Sequence, residues 1–216
     1  IRHRSVSRGL GDVYKRQISV YSLFTTPSLV PVMMIGGGII GFVLVIATSF
    51  NISIAKYTAA PYALMEGLVL GAFSAFFEAQ WHGIILQAIL GTFAVLFVML
   101  MLYKARMIQY TDRFAAVLKT SLLSIMVIYL IQFAASFFGR GIPLIWGAGP
   151  VGIGFSLVVV VVAAMALIQD FFFIEDASRN MLDKNYEWYG AMGLMITLVW
   201  LYTEILRLLA KLNSRN

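Results

Sequence analysis

The 216-residue chain has no cysteine, only two histidines and little charge, 12% against 61% hydrophobic residues. Soluble domains carry about 25% charged residues on average. Half that density cannot cover a water-facing surface, which excludes an ordinary soluble enzyme and a disordered chain. Without cysteine there is no disulfide scaffold, thiolate zinc site, iron–sulfur cluster or thiol nucleophile, and the redox compartment stays unread. Enzyme templates fail in the same way. An intramembrane serine protease needs a serine with a histidine on a neighbouring helix. Gly154-Phe155-Ser156 offers a serine, but neither His3 nor His82 lies in a later helix. An aspartyl protease needs two membrane aspartates, and Asp170 stands alone. No HExxH or Walker A motif is present, and no GxGxxG followed by a soluble fold. His82, beside Trp81 and Glu78, is a poor metal site. No enzyme, no cofactor and no firm metal centre are expected.

The net charge of +6 suggests an anionic partner until its source is located. Arg2, Arg4, Arg8, Lys15 and Arg16 supply five of the sixteen basic residues, with Asp12 the one acid among them. A signal peptide fits poorly, because the next apolar run starts too far downstream and no small-residue cleavage site follows. A basic anchor before a first helix is a second reading. The favoured reading is a non-native leader over residues 1–17: Asp12-Val13-Tyr14-Lys15-Arg16-Gln17 looks like the in-frame translation of a transposase-type sequencing adapter end. Without it, 11 basic residues face 9 acidic ones and +6 becomes +2. A nucleic-acid partner is then not expected.

What the chain has is apolar runs, with a mean hydropathy of +0.88. A bilayer core about 30 Å thick is crossed by about 20 apolar helical residues. Six stretches qualify: 29–50, 59–78, 83–103, 115–138, 151–174 and 188–210. Open sheet edges cannot be satisfied in lipid, so even the β-branched run 158–162 is read as helix. The expectation is an all-α, multi-pass membrane protein with one helical domain over 29–212, a loop or helix stub over 18–28 and a tail over 213–216. Gly37 with Gly41, and Gly67 with Gly71 and Ser74, form small-xxx-small faces that allow close helix packing. The side carrying loops 51–58, 104–114 and 175–187 (side B) holds seven basic residues against four on side A, so the positive-inside bias makes side B cytoplasmic. Adding the leader to side A reverses that orientation.

Ionisable groups at membrane depth are costly and mark functional candidates. Lys119 is near enough to its interface to snorkel. Glu204 and Arg207 form an i,i+3 pair that can neutralise itself. Glu66 can serve as a protonated interhelical hydrogen-bond donor. Asp170, followed by Phe171, Phe172, Phe173 and Ile174, resists a structural explanation most. A carboxyl in apolar surroundings holds its proton to higher pH than one in water, which suits a proton-responsive gate. At about 1.5 Å per residue, Glu66 lies roughly 10 Å, Asp170 roughly 6 Å and Thr197 about 13 Å from side B. The three meet if their helices touch.

The segments 61–79 (PYALMEGLVLGAFSAFFEA), 83–104 (GIILQAILGTFAVLFVMLMLYK) and above all 187–212 (EWYGAMGLMITLVWLYTEILRLLAKL) resemble the Bax inhibitor-1-like family of membrane proteins, a bacterial branch in particular. The resemblance covers roughly 29–212. It implies a seven-helix bundle in the bacterial plasma (inner) membrane with the last helix at its centre, and a pH-sensitive calcium leak; the first family helix is absent from the six spans here. The family's aspartate near the end of its sixth helix falls on Asp170, and the glutamate of its EG pair on Glu66. Its second aspartate, in the last helix, falls on Thr197, and Glu204 occupies a position not usually acidic. A hydrogen bond from Asp170 to Glu66 or Thr197 must therefore replace an aspartate pair, or the gate is lost.

The leading expectation is a cation leak, for Ca²⁺ above all, with Asp170 as gate, Glu66 as its polar partner and Glu204 as a second carboxylate nearer side A. Oxygen ligands are what Ca²⁺ prefers. The alternative is a non-conducting regulator that binds a membrane protease or another membrane protein, its carboxylates structural. A solute transporter is a third reading, weakened by the lack of a visible inverted repeat. The lipid bilayer is the partner common to all three.

Overall fold

The computed structural model describes residues 30–137, 145 and 147–215. The leader over 1–17, the stub over 18–28 and Arg140 lie outside the described residues. Among the described residues six long α-helices follow one another: α1 (Val30–Phe50), α2 (Ala55–Gln80), α3 (Ile84–Lys104), α4 (Asp112–Phe137), α5 (Pro150–Arg179) and α6 (Asn185–Asn213). No strand occurs among the described residues. Helices α2 to α6 are long and apolar enough to cross a membrane, whereas α1 offers the shorter apolar stretch Met34–Phe50. Large apolar side chains such as Phe42, Leu64, Leu86, Phe97 and Leu130 are exposed on the outside of the bundle. Lipid, unlike water, accepts such a surface. This is an all-α multi-pass membrane protein.

The helices outrun the apolar stretches at their side-B ends. α2 begins at Ala55 with Lys56, and α5 runs past the phenylalanines through Glu175, Asp176 and Arg179. Polar turns at the interface keep helical hydrogen bonds while their side chains reach water. Asp170 therefore sits nine residues from the end of α5, about 13 Å along the axis, deeper within its helix than the apolar run alone implies.

Helix ends are closed by identifiable groups. Asn51 accepts a bond from the Ser53 amide at 3.1 Å, capping the 3₁₀ turn Ile52–Ile54 that joins α1 to α2. Glu78 reaches across the next connection and accepts from the amides of Gly83 (2.6 Å) and Ile85 (3.3 Å), so a carboxylate lies at the positive end of α3. Pro150 opens α5 at a position where a missing N–H costs nothing.

The last helix is central, packing against α2, α3 and α5. Its buried side chains Leu201, Ile205 and Leu206 form the main core with Ile84 and Ala88 of α3 and Ala163, Leu167 and Ile168 of α5. Hydroxyl pairs fix neighbouring helices: Ser74 and Tyr202 oxygens lie 2.7 Å apart between α2 and α6, and Thr48 and Thr58 2.7 Å apart between α1 and α2.

The small residues act unequally. A Cβ at Gly37 would stand 2.8 Å from the Val69 methyl and 3.3 Å from the Met65 carbonyl oxygen, so Gly37 is where α1 presses on α2. At Gly41 it would meet Glu66 Oε2 at 3.5 Å, and at Gly67 nothing within 4 Å. Gly71 is half-buried, and Ser74 contributes its hydrogen bond. Gly37→Val is expected to destabilise the bundle by about 1–3 kcal/mol through overpacking. Gly36→Ala, facing open space, should cost nothing and gain up to about 1 kcal/mol of helix propensity. Equal melting temperatures for the two variants in detergent would remove Gly37 from the contact.

Candidate functional site

Two polar clusters lie inside the bundle, one toward each side. Toward side B, α5 and α6 converge on Asp170. Its Oδ1 lies where the space over Gly193 admits it, 3.7 Å from a Cβ placed there. Thr197, one turn further along α6 and buried, lines the same cavity and interacts with the carboxyl. Asp170 Oδ2 and the neighbouring Gln169 Oε1 are buried without a partner among the described residues. Both residues line a cavity of about 470 Å³ together with Thr48 and Ser49 of α1 and Thr197 of α6. An unsatisfied buried carboxylate oxygen costs free energy, and the surrounding hydroxyl and amide groups supply only oxygen-type ligands and weak donors.

The aromatic run after Asp170 builds a collar. Phe171 packs on Tyr103 of α3 (5.8 Å between centroids), Phe172 stacks on Tyr110 of the α3–α4 connection (4.6 Å), and Phe173 meets Tyr189 of α6 edge-on (5.6 Å). Consecutive helical residues point about 100° apart, so three adjacent phenylalanines necessarily face three different neighbours. Phe172 and Phe173, with Tyr110 and Tyr189, also line the Asp170 cavity.

Of the residues the sequence pointed to, the structure brings together Asp170 and Thr197. Glu66 is not among the residues around that cavity; it occupies the α1–α2 seam, next to Gly41 and interacting with the Tyr62 hydroxyl one turn back. Among the described residues no group of three metal-ligating side chains forms.

Toward side A, Glu204 is 2% exposed. Its Oε1 accepts from Tyr129 Oη of α4 at 2.8 Å and from Arg207 Nη1 at 2.8 Å, and Arg207 also donates to Tyr129 Oη at 3.3 Å. One turn further, Lys211 Nζ donates to the carbonyls of Ile145 (2.9 Å) and Gly152 (3.0 Å) and to Ser156 Oγ (2.8 Å). Serine with lysine is the composition of a catalytic dyad, but a general base needs a free nitrogen lone pair. Two carbonyls and a hydroxyl surround the Lys211 nitrogen, so it acts as a strut that ties α6 to α5 and to Ile145 before it. Sequence reasoning passed over Lys211 and over Gly190 and Gly193, both of which line the Asp170 cavity. The spacing Glu204, Arg207, Lys211 on one helical face was the available signal for the first, and the Gly190-x-x-Gly193 step for the second.

The family model described as Bax inhibitor 1 like matches residues 15–214. The chain belongs to this family. No curated protein and no solved structure matches it. The central placement of α6 in this Bax inhibitor 1-like chain agrees with the architecture that the sequence resemblance implied.

Proposed function

We propose that this Bax inhibitor 1-like protein passes cations, Ca²⁺ among them, through its bundle, and that the charge state of Asp170 sets the rate. The observation carrying this reading is the orphaned Oδ2 of Asp170 in a polar cavity at membrane depth. A structural carboxyl has no reason to leave an oxygen unpaired, whereas an ion or proton site does. Thr197 orients the carboxyl through its hydroxyl, and the aromatic collar is the barrier on side B. Glu66, in the α1–α2 seam, lies outside this cavity and is not assigned a part in the pathway. The Tyr129–Glu204–Arg207 cluster supports a structural role for Glu204, because its carboxylate is already neutralised by a guanidinium.

The sign of the pH dependence follows from the chemistry. An ionised carboxylate attracts a cation and a protonated one does not, so flux rises as pH rises through the titration of Asp170. In liposomes loaded with a Ca²⁺ indicator, flux at pH 8 is expected to exceed that at pH 5. Asp170→Asn holds the site neutral, so its flux should be low and flat between these values. A wild-type rate with intact pH dependence in Asp170→Asn would end the proposal.

A further inference from the structure

A second cavity, of about 820 Å³, opens at the side-B end between the end of α3, the following turn and the last turns of α5. Its charged lining is Lys104, Arg106 and Arg179 against Glu175 and Asp176. Glu175 is already engaged, accepting from Tyr103 Oη and pairing with Arg179 one turn on. Asp176 accepts from the Asn180 amide at 3.1 Å. Lys104 and Arg106 form no ion pair with a described residue. The floor beneath them is apolar and aromatic, with Leu100, Ile108, Tyr110 and Phe172.

The backbone adds an independent observation. The turn after α3 closes with the Met107 amide on the Leu102 carbonyl at 3.0 Å and the Arg106 amide on Tyr103 at 3.0 Å. Arg106 occupies the left-handed position of this cap, with φ of 56°. Glycine is favoured there and a longer side chain carries strain. The cap fixes Arg106 at the mouth of the cleft, exposed, attracted by Glu175 but outside ion-pair distance of it. Rim residues Met107 and, beyond Arg179, Met181 are 75% and 92% exposed, as suits side chains dipping into a bilayer interface.

We propose that this cleft binds the phosphate head group of an anionic membrane lipid, with Lys104 and Arg106 as the phosphate ligands and the apolar floor taking the glycerol end of the acyl chains. Basic pockets between transmembrane helices at an interface recognise such head groups, and guanidinium groups match phosphate geometry. Lipid is chosen over a soluble phosphate because half the lining is apolar and the cleft lies at the helix ends, where head groups reside. The Tyr110–Phe172 stack forms a wall of this cleft and of the Asp170 cavity alike, but binding is independent of any ion flux.

The test uses the full chain in non-ionic detergent, titrated with short-chain phosphatidylglycerol, phosphatidylcholine or inorganic phosphate, with lipid adducts read by native mass spectrometry. Phosphatidylglycerol should bind in preference to phosphatidylcholine, and Lys104→Gln with Arg106→Gln should weaken it on the order of twentyfold. Arg106→Gly separates folding from binding. It relieves the backbone strain, so the melting temperature should hold or rise while phosphatidylglycerol affinity falls on the order of fivefold. Equal binding of the two lipids, or wild-type affinity in either variant, overturns the proposal. Inorganic phosphate that displaces phosphatidylglycerol at equal concentration also overturns it, reducing the cleft to a free-anion site.

Discussion

Arg207→Met should destabilise the protein by about 3–5 kcal/mol, because it strips the counter-ion from a buried carboxylate. Glu204 is 2% exposed and shares one oxygen between Arg207 and Tyr129. Removing the guanidinium leaves the charge with a single phenolic donor in a low-dielectric setting. The loss should appear as a lower melting temperature in detergent. The double variant Glu204→Gln with Arg207→Met should recover most of it, since no charge is then stranded; the recovery is a coupling energy between contacting residues. A melting temperature for Arg207→Met close to wild type would strip the ion pair of its place as the lock of the side-A half. Glu204→Gln alone should leave the pH dependence of flux in place, which separates the lock from the Asp170 site.

The helices and the centrality of the last one were legible in the sequence because a bilayer imposes a length and a polarity that few patterns meet. The boundaries were less so: apolar count ends where lipid ends, whereas the helices at Ala55 and Arg179 continue through the interface on their own hydrogen bonds. Asp170 was found by its position among apolar residues, and Thr197 by the family register. That Glu66 would stand apart from them was not legible, because the facing of α2 is decided by Gly37 and Gly41 pressing on Met65, Val69 and Tyr62. Nor was Lys211, whose three partners are Ile145, ahead of α5, and Gly152 and Ser156 in its first turns, 55 to 66 positions away in the chain. Helical spacing shows which residues share a face of one helix. It does not show what the next helix brings to meet them.

The loop before α5 is where this long-range information is concentrated, and Gly152→Ala is the substitution that reads it. An added Cβ would stand 2.0 Å from the Gly147 carbonyl oxygen and 3.0 Å from that of Ile145. Both are backbone atoms, so no side-chain rotation relieves the contact and the loop itself must move. Ile145 and Gly152 also supply two of the three acceptors of Lys211, so the displaced loop releases that ammonium as well. The expected cost is about 3 kcal/mol, at the upper end of ordinary overpacking. Lys211→Met added to Gly152→Ala should cost less than the sum of the two alone, because both break one network. Gly154→Ala is the control two residues on: it faces open space and should be neutral or gain up to about 1 kcal/mol of helix propensity. Equal melting temperatures for Gly152→Ala and Gly154→Ala would show that the loop does not rest on α5. The strut from Lys211 would then lose the acceptors that make it a strut.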